Sequence, residues 1–216
     1  MIAPEISARP TLIPNPEFSR LASEEQVMRT ARALEANGMH AILVDTAEQA
    51  RALVAGMLPH GATVYDPPSQ TLQQIGLLND LQARADLKRL RPQVQALDRK
   101  TQQAEIRRLT SSPDVVLGSV HAITEQGQVM LASASGSQMA SAAFGAGTVI
   151  WVVGTQKVVS NLDEGFRRIR EYSYPLEDER AREVYGRGSA INKVLIVNGE
   201  QPGRITVVLV KQNLGF

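Results

Sequence analysis

The sequence predicts a single α/β domain built around a mostly parallel sheet. Apolar strand segments flank a helical pattern at 41–44, 46–57 and 62–65, and such strand–helix–strand units join parallel strands. The segment 149–153 is wholly apolar, as expected of a strand that is buried on both faces. These two observations place the chain in the α/β class.

The first two helices have clear start signals. Ser23 with Gln26, and Thr46 with Gln49, are capping-box patterns in which each side chain satisfies a backbone N–H group of the first turn. Gly38 follows the first apolar helical stripe and ends it. We therefore predict a helix directly after Ser23 and another directly after Thr46.

The domain limits follow from the distribution of proline and charge. Several prolines lie among polar residues in 1–20, which we predict to be an N-terminal arm, and 21–216 then forms one domain. Within it, 81–112 is rich in arginine and lysine and predicts a charged helical excursion with a solvated basic face. Apolar strands are predicted at 114–118 and 128–132.

The last two apolar segments, 194–197 and 205–210, are separated by a turn rich in glycine and proline. This spacing predicts a terminal antiparallel strand pair. Before them, Asn161 with Glu164 is typical of a helix start.

Composition excludes several classes of function. The chain has 216 residues with 23 Lys and Arg against 22 Asp and Glu, a balance that does not favour a nucleic-acid surface. It has no cysteine, which excludes a thiolate nucleophile and a thiolate-bound cluster or zinc in this chain. No apolar run is long enough to cross a bilayer, and no secretory signal is recognisable, so we expect a cytoplasmic protein.

Two charged residues near predicted strand ends are candidate catalytic groups. Glu125 lies in a turn before a strand, where a carboxylate can act as a general base or as a nucleophile; the alternative is an exposed turn glutamate. Lys157 follows the apolar strand 149–153 and can pair with Glu125 or bind a substrate anion. The alternative is a surface lysine whose stem packs on the sheet. His121 is the only histidine near this region, and we assign no metal site.

Two small polar segments are candidate anion-binding loops. The first opens a helix after the strand 62–65, although its serine can equally be a helix cap; the second is the small-residue loop 133–138. The predicted ligand contacts are Ser69, Thr71, Gly127, Ser135, Gly136, Ser137, Gln138 and Asn161.

Several segments together resemble the lactate-utilization (LUD) domain family. They are 69–72 with 75–77, 122–127, 157–162 and 207–216, so the resemblance extends over most of the chain after the arm. It implies a three-layer α/β fold similar to the ribose-5-phosphate isomerase and CoA-transferase group. It also implies a role in oxidation of L-lactate to pyruvate alongside iron–sulfur partner proteins. Larger relatives have a cysteine-rich cluster segment, and this chain resembles the short, cluster-free type.

Three functions follow as hypotheses. The first is a non-redox component of L-lactate utilization that binds a small anion such as lactate, pyruvate, phosphate or a CoA-type ligand, without a cofactor of its own. The second is an independent acyl-transferase or sugar-phosphate isomerase that uses Glu125. The third is a binding protein without chemistry, in which 81–112 docks a partner. A homodimer is the common default for such a domain.

Overall fold

The computed structural model describes residues 12–216 and contains two β-sheets. The strands, in chain order, are β1 (His40–Val44), β2 (Thr63–Tyr65), β3 (Lys88–Arg89), β4 (Val115–Gly118), β5 (Ala122–Thr124), β6 (Val129–Ser133), β7 (Thr148–Gly154), β8 (Val158–Val159), β9 (Lys193–Val197) and β10 (Ile205–Val210). Six of them form a sheet in the order β1-β10-β7-β4-β2-β3, with every neighbouring pair parallel. The smaller sheet, β8-β5-β6-β9, contains two antiparallel pairs. The predicted α/β class with a mostly parallel sheet is confirmed.

Eight α-helices connect the strands described here. They are α1 (Glu24–Ala36), α2 (Ala47–Met57), α3 (Gln70–Gln74), α4 (Leu77–Ala83), α5 (Leu90–Ala96), α6 (Gln103–Ser111), α7 (Leu162–Arg168) and α8 (Tyr174–Tyr185). Ser23 and Thr46 form the two predicted capping boxes at the starts of α1 and α2. Within residues 12–216, no helix has both the length and the apolar character needed to cross a membrane.

The larger sheet is covered on both faces. On one face α2, α3 and α4 pack against alternate residues of β7, including Ile150 and Val152. On the other face α1 and the smaller sheet pack against the residues between them, including Trp151. The side chains of β7 from Val149 to Val153 are at most 2% exposed, which confirms the prediction of a strand buried on both faces.

The predicted pairing of the last two strands is wrong. β9 pairs antiparallel with β6 in the smaller sheet, whereas β10 lies in the larger sheet, parallel to both β1 and β7. Every residue of β10 is buried, as a central strand requires, while the first residues of β9 are exposed, as at a sheet edge. The connection 198–204 therefore joins two sheets and is not a hairpin turn.

Part of the predicted arm is visible in the structure. Residues 1–11 lie outside the described range. Further along, the Asn15 backbone N–H donates to the Glu171 carbonyl at 2.8 Å, and Phe18 is buried. The described part of the arm therefore packs against the domain.

The charged excursion is only partly as predicted. Residues 81–112 include the end of α4, then α5 and α6, but also the two-residue edge strand β3. Arg89 and Arg91 do not lie on a solvated face, because both approach the buried carboxylate of Asp66, at 2.8 and 3.6 Å. A buried acid needs cationic or hydrogen-bonding partners, and these two arginines supply them.

Candidate functional site

A cleft of about 740 Å³ opens at the edge of the larger sheet where its strands end. Its lining comes from the segments that follow β2, β4 and β7, together with β6, the loop after β6, α8 and the segment 187–192. Carboxyl ends of parallel strands are where open α/β sheets bind ligands, and the volume is within the usual range for small-molecule sites. This cleft is therefore the candidate site.

Lys157 is the central polar group of the cleft. It ends a short 3-10 turn after β7, and the residue is only 1% exposed. Its Nζ donates to Ser119 Oγ at 3.0 Å and to Thr71 Oγ1 at 3.2 Å. Within residues 12–216 no carboxylate forms an ion pair with it. Burial, and next the nearby charge of Arg168, lowers the pKa of the Lys157 amine well below its ordinary value.

Thr71 lies at the start of α3 and is held beside the Lys157 amine by contacts with Leu214 and Gly215. Ser69 caps α3, its Oγ accepting from the Leu72 N–H at 3.3 Å, and it lines the cleft. Thr71 Oγ1 donates to the Leu214 carbonyl at 3.2 Å. A Cβ atom at Gly215 would be 2.3 Å from Thr71 Oγ1, so only glycine permits this close approach.

The small-residue loop forms another part of the lining. Ser135, Ser137 and Gln138 line the cleft, and the two serine hydroxyls are 3.2 Å apart. Gly136 has a positive φ of 80°, and its N–H donates to Ser133 Oγ at 2.9 Å, so its role is to shape the loop. The structure therefore brings the two predicted polar loops and Lys157 to one cleft.

His121 presents a fixed N–H group to the cleft. Its Nδ1 accepts a hydrogen bond from the Ala132 backbone N–H at 3.1 Å, so the ring proton of the neutral form lies on Nε2. Burial, followed by the charges of Lys157 and Arg168, lowers the pKa of His121 to about 3. At neutral pH this imidazole is therefore an uncharged hydrogen-bond donor.

Arg168 is a buried residue of the site that the sequence analysis missed. It is 0% exposed, and its guanidinium donates to the Gln156 carbonyl at 3.2 Å, to Ser173 Oγ at 3.0 Å and to the His121 carbonyl. Its charge lies within 5.1 Å of the Tyr172 ring centre. Its neighbours on the same face of the helix, Gly165 and Ile169, are buried as well. Residues at i, i+3 and i+4 share one helix face, so this spacing was the sequence signal that the arginine faces inward.

Basic groups outnumber acidic ones along the cleft. Four lining side chains are basic: Arg99, Lys157, Arg180 and Arg187. Among residues 12–216, Glu177 is the one side-chain carboxylate in the lining, and it lies 2.7 Å from Arg180, which neutralises it. A side recess of about 240 Å³ continues the cleft towards Arg91 and shares the Arg99 lining. The site therefore has an excess of positive charge.

The expectation that Glu125 and Lys157 meet in one cleft is wrong. Glu125 follows β5, but its carboxylate turns towards α1, where it accepts from Arg29 Nε at 2.8 Å and from Gln26 Nε2 at 3.0 Å. These hydrogen bonds, that of Arg29 first, lower the pKa of Glu125 and keep it ionised. Glu125 does not line the cleft.

Three predicted ligand contacts also lie outside the cleft lining: Gly136, which shapes the small-residue loop, and the two residues Gly127 and Asn161. Gly127 packs against α1, and a Cβ atom there would be 2.7 Å from the Ala33 carbonyl carbon. Asn161 caps α7, its Oδ1 accepting from the Glu164 N–H at 3.0 Å. Both residues therefore have structural contacts that account for their positions.

Replacing Glu125 with glutamine is expected to leave ligand binding in the cleft unchanged. The Arg29 partner is substantially exposed, so the free energy of unfolding should fall by only about 1 kcal/mol or less. Urea denaturation measures the stability, and the ligand-induced change in melting temperature measures binding. Loss of that ligand response in a folded variant would contradict the assignment of Glu125 to the α1 contact.

The chain is similar to one protein family and to two solved structures. The model of the LUD domain family matches residues 27–210. A DUF162 family protein from Deinococcus radiodurans has 18% identity and a TM-score of 0.55, with 88% of this chain and 99% of the other covered, which shows a shared fold. Ribose 5-phosphate isomerase A from Neisseria gonorrhoeae has 12% identity and a TM-score of 0.31, with 66% and 57% covered. No curated protein matches the sequence.

Proposed function

Because the chain belongs to the LUD domain family, which is associated with lactate utilization, we propose that it is a non-redox component of L-lactate utilization that binds a small anion in its cleft. The observation that carries the proposal is the excess of positive charge in a cleft whose one carboxylate is already paired. An anionic ligand would neutralise this excess of positive charge among the lining side chains.

The shape of the cleft supports a ligand with an anionic group and further polar atoms. Close to Lys157 the Ser119 hydroxyl is available as a donor, whereas the Thr71 hydroxyl already donates to the Leu214 carbonyl; His121 also lines the cleft, with its ring proton on Nε2. These groups can bind a carboxylate, a hydroxyl or a carbonyl oxygen, which are the groups of a hydroxy acid or an oxo acid. The volume of about 740 Å³ exceeds the size of lactate, and the side recess near Arg99 leaves space for a larger phosphate-bearing ligand.

Electrons would have to be carried by another molecule. The chain has no cysteine for an iron–sulfur cluster, so oxidation of lactate would depend on cluster-bearing partners. The alternative, an acyl-transferase or isomerase that uses Glu125, loses its main support because that carboxylate is paired with α1 and lies outside the cleft lining.

A thermal-shift series tests the binding proposal. The probes are L-lactate, pyruvate, inorganic phosphate, ribose 5-phosphate and coenzyme A, each added to the same preparation. A ligand present at about 100 times its Kd stabilises the fold by about 2.7 kcal/mol, so a specific ligand should raise the melting temperature clearly. No stabilisation by any of the probes would contradict the proposal.

A matched pair of variants locates the binding site. Arg99→Gln removes a lining charge, whereas Arg107→Gln removes an exposed charge of α6 outside the lining. We expect the first to weaken the ligand response and the second to leave it unchanged. Equal responses in both would place the ligand elsewhere.

Growth on L-lactate after deletion of the gene, in a strain without a second copy, tests the physiological role, and we expect that growth to be lost.

A further inference from the structure

Two buried basic side chains, Lys157 in the cleft lining and Arg168 just outside it, form no ion pair with a carboxylate of residues 12–216. Lys157 is 1% exposed and Arg168 is 0% exposed. The Arg168 guanidinium donates to the carbonyl of Gln156, the residue directly before Lys157, and to the carbonyl of His121. No carboxylate of residues 12–216 forms an ion pair with either side chain. Structural lysines rarely lack such a partner when they are fully buried.

The arrangement favours an uncharged amine at Lys157. A low-dielectric environment penalises the ammonium form, and the neighbouring Arg168 adds like-charge repulsion. Burial and a second cation are the two devices by which proteins convert lysine into a nucleophile. The hydroxyls of Ser119 and Thr71 hold the nitrogen in place at 3.0 and 3.2 Å without contributing a negative charge.

We infer that Lys157 is a nucleophile that forms a Schiff base with a small carbonyl compound bearing an anionic group, such as a 2-oxo acid. This inference rests on the proposed function and deepens it, since it names the substrate class of the same cleft. The cleft offers what such a compound requires: an uncharged amine for the carbonyl carbon, N–H and O–H groups for its oxygen, and the positive charge of Arg99 and Arg187 for its anion.

The step needs no oxidant or reductant. The Nζ lone pair attacks the carbonyl carbon, a C–N bond forms, and the carbonyl oxygen takes up a proton to give a carbinolamine. The nitrogen then loses a proton, and its lone pair forms the second C–N bond as the C–O bond breaks. The oxygen takes a second proton and leaves as water, so one proton is taken up from solvent and the product is the protonated Schiff base. The hydroxyl of Ser119, in contact with Nζ, can pass protons between nitrogen and oxygen. The Nε2–H group of His121 supplies a neutral hydrogen bond to the developing oxygen charge.

Trapping with sodium borohydride tests the inference directly. The full chain is incubated with pyruvate or with ribose 5-phosphate, reduced, and analysed by intact mass and peptide mapping. Borohydride supplies the hydride that converts the C=N bond into a stable secondary amine. We expect one adduct, on Lys157, with at least one of the two compounds, and the successful arm distinguishes an oxo acid from a sugar phosphate. L-Lactate, which has no carbonyl to condense, should give none.

Two lysine variants complete the experiment. Lys157→Met should abolish the adduct, and Lys100→Met, at an exposed loop position, should retain it. Peptide mapping of the unmutated protein locates the adduct even if a variant folds poorly. Absence of an adduct with both carbonyl compounds, or adducts spread evenly over exposed lysines, would overturn the inference. Thermal stabilisation by pyruvate without an adduct would refute covalent chemistry and leave anion binding intact, whereas absence of both would end both proposals.

Discussion

Replacing Arg168 with methionine is expected to lower the free energy of unfolding by about 3 to 5 kcal/mol. The guanidinium holds together four separate segments, since it donates to acceptors of Phe18, His121, Gln156 and Ser173. Methionine fills similar space but donates nothing, so buried carbonyl groups would be left without partners. Urea denaturation at neutral pH measures the loss.

The neighbouring arginine is a matched control for this experiment. Arg167 lies on the exposed side of α7 and pairs with Glu171 at 3.0 Å. Arg167→Met should cost far less stability than Arg168→Met, because exposed ion pairs contribute little. Similar losses in Arg167→Met and Arg168→Met would show that the buried guanidinium does not hold these segments together.

The second large effect is expected to have the opposite sign. Lys157→Met should raise the free energy of unfolding of the ligand-free protein by about 1 to 4 kcal/mol near neutral pH, the range seen when buried ionic groups are replaced by apolar ones. The amine is held in a dry site without a carboxylate, whereas Thr71 keeps its hydrogen bond to Leu214 in the variant. The same variant should no longer be stabilised by the anionic ligand, because residues that serve binding often lower the stability of the ligand-free fold.

The pH dependence of this gain has a defined sign. The pKa of Lys157 is lowered in the folded state, so between that pKa and the ordinary lysine value of about 10.4 the unfolded chain binds more protons. The contribution of Lys157 to stability therefore rises with pH across that window, and the advantage of Lys157→Met should shrink. Of the groups nearby, His121 has its pKa lowered to about 3, outside the window. Arg168, whose pKa burial lowers to about 9, titrates within the window in both proteins, so only its coupling to Lys157 enters the difference.

Urea denaturation of both proteins from pH 7 to the upper end of that window measures this change. A variant that is less stable than the wild type at pH 7 would show that the amine stabilises the fold, as a charged and well-solvated lysine would. A gain that does not change with pH would show that the pKa of Lys157 is not lowered.

Local patterns in the sequence were sufficient for the fold class and for several elements, but not for the short strands β3, β5 and β8. The capping boxes at Ser23 and Thr46 depend on contacts within one helical turn, so neighbouring residues contain all the information required. The apolar run around Trp151 predicted a strand covered on both faces for a similarly local reason. Because Lys157 follows that strand directly, the sequence also predicted its position at the end of β7.

Contacts between distant segments were not predictable in this way. Two apolar segments near the end of the chain resembled a hairpin, but β9 and β10 belong to different sheets. Their actual partners, β6, β1 and β7, are far away in sequence, so the local pattern could not predict the pairing. The side chain of Glu125 turned to Arg29, 96 residues earlier, since the short strand β5 lies beside α1.

The sequence by itself determined where the first two helices begin, which strand is buried on both faces, and that an amine and two polar loops would lie at strand ends. These properties follow from the spacing of apolar and capping residues within single elements. Only the tertiary structure decided that Arg168, and not a carboxylate, is the charged neighbour of Lys157. The reason is physical: burial and charge proximity depend on how elements pack together, and the pattern of one element does not specify its neighbours.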